Sequence, residues 1–149
     1  NKILGQDISN MWVRMDLRGR RNAKWYVGND AGPQLDNLFA VGSTAVLYPY
    51  ASLGADGVKK LYGRPIITTE FNETLGTAGD IVLADMSQYL MWEKGGIESS
   101  SSIHVYFLSD ETAFRFVYRV DGKSSVNTAL TPLKGSTTTS PFVNLLATS

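Results

Sequence analysis

The stretch from Ile103 to Val120 constrains this chain more than any other. Ile103, Val105 and Phe107 alternate with His104 and Tyr106. After a turn candidate at Ser109-Asp110-Glu111, Phe114, Phe116, Tyr118 and Val120 line one face, and Arg115, Val117 and Arg119 the other. Side chains of a strand point alternately to its two faces, so a period of two predicts an antiparallel pair buried on one side. Asp121-Gly122 ends it.

The chain opens with a different period. Ile8, Met11, Trp12 and Met15 fall at the i, i+3, i+4, i+7 spacing of one helix face. Asp7 or Ser9 suits the N-cap, and the pattern predicts a helix from Ile8 to about Trp25-Tyr26, weakest at Gly19. Its opposite face carries Arg14, Arg18 and Arg21. Gly28-Asn29-Asp30-Ala31-Gly32 reads as a turn. Pro33 suits the first turn of a short helix, because its missing N–H costs nothing there; Leu35, Leu38 and Phe39 form that helix's buried side.

Residues 42–60, with Gly42, Pro49, Gly54 and Gly57, read as loop with short extended pieces. Gly63 and Pro65 mark a bend before the β-branched Ile66-Ile67-Thr68, a strand candidate. Ile81-Val82-Leu83-Ala84, a short apolar run between Gly79-Asp80 and Asp85, is the pattern of a strand buried on both faces. Asp85 is placed to cap a helix from Met86 to Lys94, which Gly95-Gly96 would stop. In the tail, Phe142 to Leu146 suits an edge strand. Helices and strands in this order predict an α+β fold.

At 149 residues the chain is one domain, or one with a small appendage. Its 43% hydrophobic and 19% charged residues are a globular composition, which excludes bulk disorder. No apolar run nears the roughly 18 residues of a membrane span, and no signal peptide opens the sequence. Its start at Asn1, inside apparent structure, leads us to expect a fragment or processed product. The net charge is zero but uneven. Residues 1–24 hold six Lys and Arg against Asp7 and Asp16, so this end is basic and the remainder acidic. A basic end suits phosphate, or simply a solvated face paired with acidic neighbours.

The inventory for catalysis is thin. The absence of cysteine removes disulfides, thiolate metal sites and cysteine nucleophiles. His104, the sole histidine, sits in an alternating strand with no second imidazole, so it reads as structural, and we expect no metal site and no cofactor. Gly-rich phosphate cradles and the G-x-S-x-G and S-x-x-K motifs are missing. Asp80 and Asp85 flank one strand, roughly 16 Å apart at ~3.3 Å per residue. A glycosidase pair needs about 5–9.5 Å, so turn and cap roles suit them better. Aromatics are plentiful instead, with three Trp, seven Tyr and six Phe. Aromatic residues and arginine concentrate at interface cores, although core packing accounts for many of them equally well.

Four segments, in order, resemble a known family. Trp25-Tyr26-Val27-Gly28-Asn29 followed by Leu35-x-x-Leu38 looks like the end of a long spine helix and the start of an axial domain. Leu61-Tyr62-Gly63-Arg64-Pro65-Ile66 is similar to the family's L-x-G-x-P-V bend. Gly79-Asp80-Ile81-Val82-Leu83-Ala84-Asp85-Met86-Ser87-Gln88-Tyr89-Leu90 resembles its strand-to-helix unit, and Phe114-x-Phe116-x-x-Arg119-x-Asp121-Gly122 its closing long strand. The family is the major capsid protein of tailed bacteriophages, of the Hong Kong 97-type fold, and the likeness covers nearly all of residues 8–145.

The resemblance implies a structural protein of the virion, without catalytic residues, assembled in the host cytoplasm. Copies would associate into pentamers and hexamers of an icosahedral shell around double-stranded DNA. Residues 1–32 would hold the spine helix and start of the peripheral domain, 33–102 the axial domain, and 103–149 the late strands returning to the periphery. By the same resemblance, the N-terminal arm and extended hairpin loop that normally precede the spine helix would be missing from this sequence. Some members crosslink through a Lys–Asn isopeptide bond. No Asn lies between Ser99 and Ser109, so no such bond is expected from this strand. The expected interface residues are Trp25, Tyr26, Arg64, Tyr89 and Trp92, with Arg14, Arg18 and Arg21 facing DNA non-specifically. No membrane is involved. The alternatives are an encapsulin-like compartment shell, a hydrolytic enzyme using Asp80, Asp85 and Glu93, or a DNA-binding module using the three arginines.

Overall fold

The helical period opening at Ile8 ends sooner than its sequence suggests. In the computed structural model, which describes residues 3–39, 51–53 and 57–146, helix α1 spans Gly5–Arg14. Ile8 and Met11 are buried on one side of it, and the following Met15 is fully buried in extended backbone. Asp7 does cap, but from the helix's third position, reaching back to accept a hydrogen bond from the Leu4 N–H at 3.0 Å. A distant segment stops the helix. Ser140 N–H donates to the Arg14 carbonyl (2.9 Å), and its own carbonyl accepts from Asp16 N–H (3.0 Å). The tail thus takes the groups that another helical turn would have used.

The expected spine helix from Ile8 to Tyr26 is therefore corrected: Lys24–Gly28 is strand β1. Trp25 and Val27 point inward at 0% and 2% exposure, a period of two that begins where the helical period has lapsed. A single 3-10 turn, Gly19–Arg21, links the two elements. Gly19 is there because space is short: a Cβ would lie 2.8 Å from the Met15 methyl and 3.2 Å from Asp85 Oδ2. After a 3-10 turn at Asn29–Ala31, helix α2 spans Gly32–Phe39 and buries Leu35, as expected. The side chains of Leu38 and Phe39 lie outside the described residues, as does most of the loop expected over 42–60.

Strands β2 (Ala51–Leu53), β3 (Lys59–Leu61), β4 (Arg64–Thr69) and β5 (Ile81–Ala84) follow. Strands β6 (Tyr89–Glu93), β7 (Glu98–Tyr106), β8 (Glu111–Val117), β9 (Val120–Ser124) and β10 (Phe142–Asn144) complete the described chain. A six-stranded sheet has the order β10-β5-β1-β4-β3-β2. β1 runs parallel to β4, with Trp25 opposite Ile66 and Gly28 opposite Thr69. It runs antiparallel to β5, with Lys24 opposite Ala84 and Val27 opposite Ile81. The tail strand β10 sits at the edge against β5, as its sequence suggested.

The bend between β3 and β4 is a two-residue hairpin with positive φ at Tyr62 (52°) and Gly63 (71°). Such a turn matches strand twist but strains a tyrosine, which lacks glycine's freedom there. Stacking holds it. The Tyr62 ring lies 5.0 Å from that of Trp12 at 17°, and the Arg20 guanidinium sits 5.2 Å over Trp12.

A second correction concerns Met86 to Lys94. Asp85 caps as expected, Oδ1 accepting from Ser87 N–H (3.0 Å) and Oγ–H (2.7 Å), but only a 3-10 turn, Met86–Gln88, forms. Tyr89–Glu93 then pairs with β9 residue by residue, from Tyr89 opposite Ser124 to Glu93 opposite Val120. Partner strands override helix propensity here.

The chain divides into two compact units: residues 1–88 with 126–149, and Tyr89–Ser125. The first holds the six-stranded sheet, both helices and the core, in which Trp25, Ile8, Met15, Leu61, Ile81 and Leu83 are fully buried. The second holds the ribbon β6–β9 and the hairpin β7–β8. The expected domain boundaries at 32/33 and 102/103 fall inside α2 and β7.

Leu83→Ala leaves a cavity beneath the sheet and should cost about 2–5 kcal/mol, lowering the melting temperature by roughly 4–20 °C in a thermal melt.

Candidate assembly surface

The most exposed apolar surface lies in the smaller unit, and register explains it. In the β7–β8 hairpin, Phe114 stands opposite Ser101 and Phe116 opposite Ser99. Serine cannot cover a ring, so Phe114 and Phe116 remain 69% and 70% exposed. The half-buried strand pair predicted for these residues is thus half right: the pair forms, its aromatic face stays open. The turn is a 3-10 segment, Phe107–Ser109, followed by Asp110 in the left-handed region (φ 55°). At its tip Leu108 is wholly exposed.

The β6–β9 ribbon behaves similarly. Met91 faces Gly122 and Trp92 faces Asp121, and both apolar side chains are more than half exposed. Tyr89 differs, because it lies over Gly122. A Cβ there would sit 2.3 Å from the Tyr89 hydroxyl, so the tyrosine ring occupies the room that glycine leaves. The Tyr118 hydroxyl donates to Glu93 Oε1 within the same unit. That hydrogen bond, with the nearby carboxylate charge, pushes the Tyr118 phenol above the usual tyrosine range.

The expected interface residues are divided among these places. Trp25 is not at a surface. It is fully buried, its indole Nε1–H donating to the Leu61 carbonyl at 2.9 Å, and it is corrected to a core residue. Tyr26 and Arg64 come together at a cleft of about 390 Å³ in the larger unit, which Arg21, Lys24, Pro65 and Met86 also line. Arg64 donates to the Arg21 carbonyl there. Tyr89 and Trp92 belong to β6 in the other unit, on opposite faces of their strand. Reasoning from sequence missed Lys24 and Met86 at the cleft, Met91 on the ribbon, and the 99%-exposed Phe71. Phe71 had a signal: an aromatic between Glu70 and Glu73 in a segment without apolar period.

The three arginines share no helix face. Arg14 ends α1, Arg18 lies in the turn after it and Arg21 in the 3-10 segment, all exposed. The carboxylates considered for hydrolysis have structural partners. Asp80 accepts from Gly76 N–H (2.9 Å) and Ile81 N–H (2.7 Å), Asp85 from Ser87, and Glu93 from Tyr118. His104 is exposed on β7, and no group of three His, Cys, Asp or Glu among the described residues is arranged to hold a metal ion. No helix among them is long and apolar enough to cross a membrane.

With this geometry in place, comparison with known proteins adds the following. The family model of the phage capsid family matches residues 2–135. No curated protein matches the chain. Among solved structures, the fold is similar to a chain in the capsid of an empty GTA particle computed with C5 symmetry, at 16% identity and a TM-score of 0.52. The match covers 80% of this chain and 40% of that one, so this chain spans about half the length of the chain it matches.

Glu93→Gln removes the charge and weakens the acceptor that hold the Tyr118 proton, so its phenol should ionise closer to the usual tyrosine pKa of about 10. Difference absorbance of phenolate in the two proteins during alkaline titration measures this. Because the folded-state value is raised, the stabilisation from this pair is present below the unfolded pKa and is lost as pH climbs through the raised value.

Proposed function

This chain belongs to the phage capsid family and is a structural capsid protein of α+β fold, and from that premise we propose that it works by packing against copies of itself into the pentamers and hexamers of an icosahedral shell around double-stranded DNA. The observation that carries the proposal is the exposed apolar surface of the smaller unit, above all the open phenylalanine row of the β7–β8 hairpin. Isolated two-stranded ribbons are marginal in water. Here the two ribbons leave Met91, Trp92, Phe114 and Phe116 more than half exposed, and Ile103 and Val105 of β7 are exposed as well. Apolar surface of that extent gains about 25 cal/mol per Å² when covered. A shell made of many copies supplies the cover.

The action is mechanical, with no reacting centre, and the protein resides in the virion after assembly in the host cytoplasm. We assign the six-stranded unit to the axial region and Tyr89–Ser125 to the peripheral strands. Tyr26, Arg64, Tyr89 and Trp92 stay in the proposal as interface residues, Tyr89 acting mainly by shaping its own ribbon. Exposed Arg14 and Arg18 suit non-specific, salt-sensitive contact with packaged phosphate, whereas Arg21 is taken up by the cleft.

The double variant Phe114→Ser/Phe116→Ser separates assembly from folding. Its stability should stay within about 0.5 kcal/mol of the parent because both rings are already exposed. Assembled particles, counted by electron microscopy and sedimentation, should disappear. Particles in undiminished yield from this variant would sink the proposed role of that face.

A further inference from the structure

The sheet of the larger unit carries unlike features at its two ends. Where β4 begins and β5 finishes lies the cleft, with the cations Arg21, Lys24 and Arg64 around Tyr26, Pro65 and Met86. Its one carboxylate, Asp85, is 2% exposed and engaged by Ser87, so the accessible charge there is positive. Arg64 lines the cleft while its guanidinium donates to the Arg21 carbonyl, which fixes that cation in place.

Where β4 finishes and β5 begins, roughly 17 Å away at ~3.3 Å per residue, a loop presents Phe71 between exposed Glu70 and Glu73. The loop is pinned. Asn72 Nδ2 lies within hydrogen-bond distance of the Tyr26 (3.2 Å), Gly79 (3.1 Å) and Asp80 (3.3 Å) carbonyls, and its Oδ1 accepts from Thr69 Oγ–H (2.7 Å). The Asp80 carboxylate ties down Gly76 and Ile81. Gly28 lets the loop approach β1 closely, since a Cβ there would lie 3.3 Å from the Glu73 carbonyl. A single exposed phenylalanine on a mobile loop would call for no explanation. Fixed backbone holding one in water, flanked by two carboxylates, makes an acidic apolar knob.

We propose that the Phe71 knob of one copy seats in the basic cleft of a second copy, with Glu70 and Glu73 meeting the positive charge of Arg21, Lys24 and Arg64. This rests on the self-association reading above and names a surface for it. Charge complementarity selects the occupant: two carboxylates meet three cations around an apolar floor, in a cleft of ligand-pocket size. A nucleic-acid backbone would match the cations alone and give Phe71 nothing to do. With knob and cleft at opposite ends of one sheet, each copy can offer its knob to one neighbour and its cleft to another, a heterologous contact. Such contacts form rings when the rotation between copies closes.

Charge exchange tests the pairing. Glu70→Lys/Glu73→Lys and Arg21→Glu/Lys24→Glu change only exposed side chains, and thermal melts confirm that each protein folds. Sedimentation velocity of the purified protein should show association weakened about tenfold or more in either double variant, and in Phe71→Ala. Combining all four charge changes in one chain should restore it. If the parent assembles and the double variants assemble equally, the knob-in-cleft contact is wrong while self-association stands. Loss without restoration also overturns the pairing, and loss of DNA binding from the cleft variants alone would hand the cleft to phosphate. A parent that stays monomeric at every concentration takes the self-association reading down as well.

Discussion

The hydrogen bonding of β1 to β4 on one side and β5 on the other organises the larger unit. β1 is only five residues long, yet it forms the sheet's parallel pair with β4 and an antiparallel pair with β5, and it carries the fully buried Trp25. The indole ties this strand to the β3–β4 hairpin through the Leu61 carbonyl, which satisfies two buried polar groups at once. β5 then recruits β10. The segment leading into β10 reaches back to Arg14 and Asp16 and so fixes where α1 ends. An early helix, a central strand and the tail are thus mutually dependent. Because both contacts are made by the Ser140 backbone, displacing that segment would be felt at the end of α1, more than a hundred residues earlier in the chain.

That dependence explains which parts of the fold could be read from sequence. β5 was legible because Ile81-Val82-Leu83-Ala84 is a continuous apolar run with turn residues at both ends. The same holds for the start of α1, whose apolar spacing is local. Its end was not, since nothing near Arg14 signals termination; the competing partner is Ser140. The stretch after Asp85 misled for a similar reason. Leu90, Met91, Glu93 and Lys94 are good helix formers, and only the presence of β9 makes Tyr89–Glu93 extended. Of the expected surface, the exposure of Tyr89 and Trp92 is observed while Trp25 proved to be core. An aromatic's type does not say which side of a sheet it will occupy until the strand carrying it is known.

The smaller unit follows a different logic. Alternation of apolar and polar residues ordinarily signals one buried face. Here the pairing of β7 with β8 sets Ser99 and Ser101 against the phenylalanine row, so no cover comes from within the hairpin. Gly122 makes a local compensation in the other ribbon by admitting the Tyr89 ring. The rest of the apolar surface stays open.

On the proposed self-association, the two units would place different demands on assembly. The larger one has its own core, and its proposed contact is small, polar-edged and directional. The smaller one offers more apolar area with less geometric definition. Neither surface alone need match a stable protein–protein interface, which buries about 1,200–2,000 Å² in total. A copy that engages several neighbours at once gains effective concentration at the second contact from the first, so modest contacts combine into strong association. On that proposal, weak encounters would dissociate and reform until geometry closes, with permanence arriving only when the surrounding copies are in place.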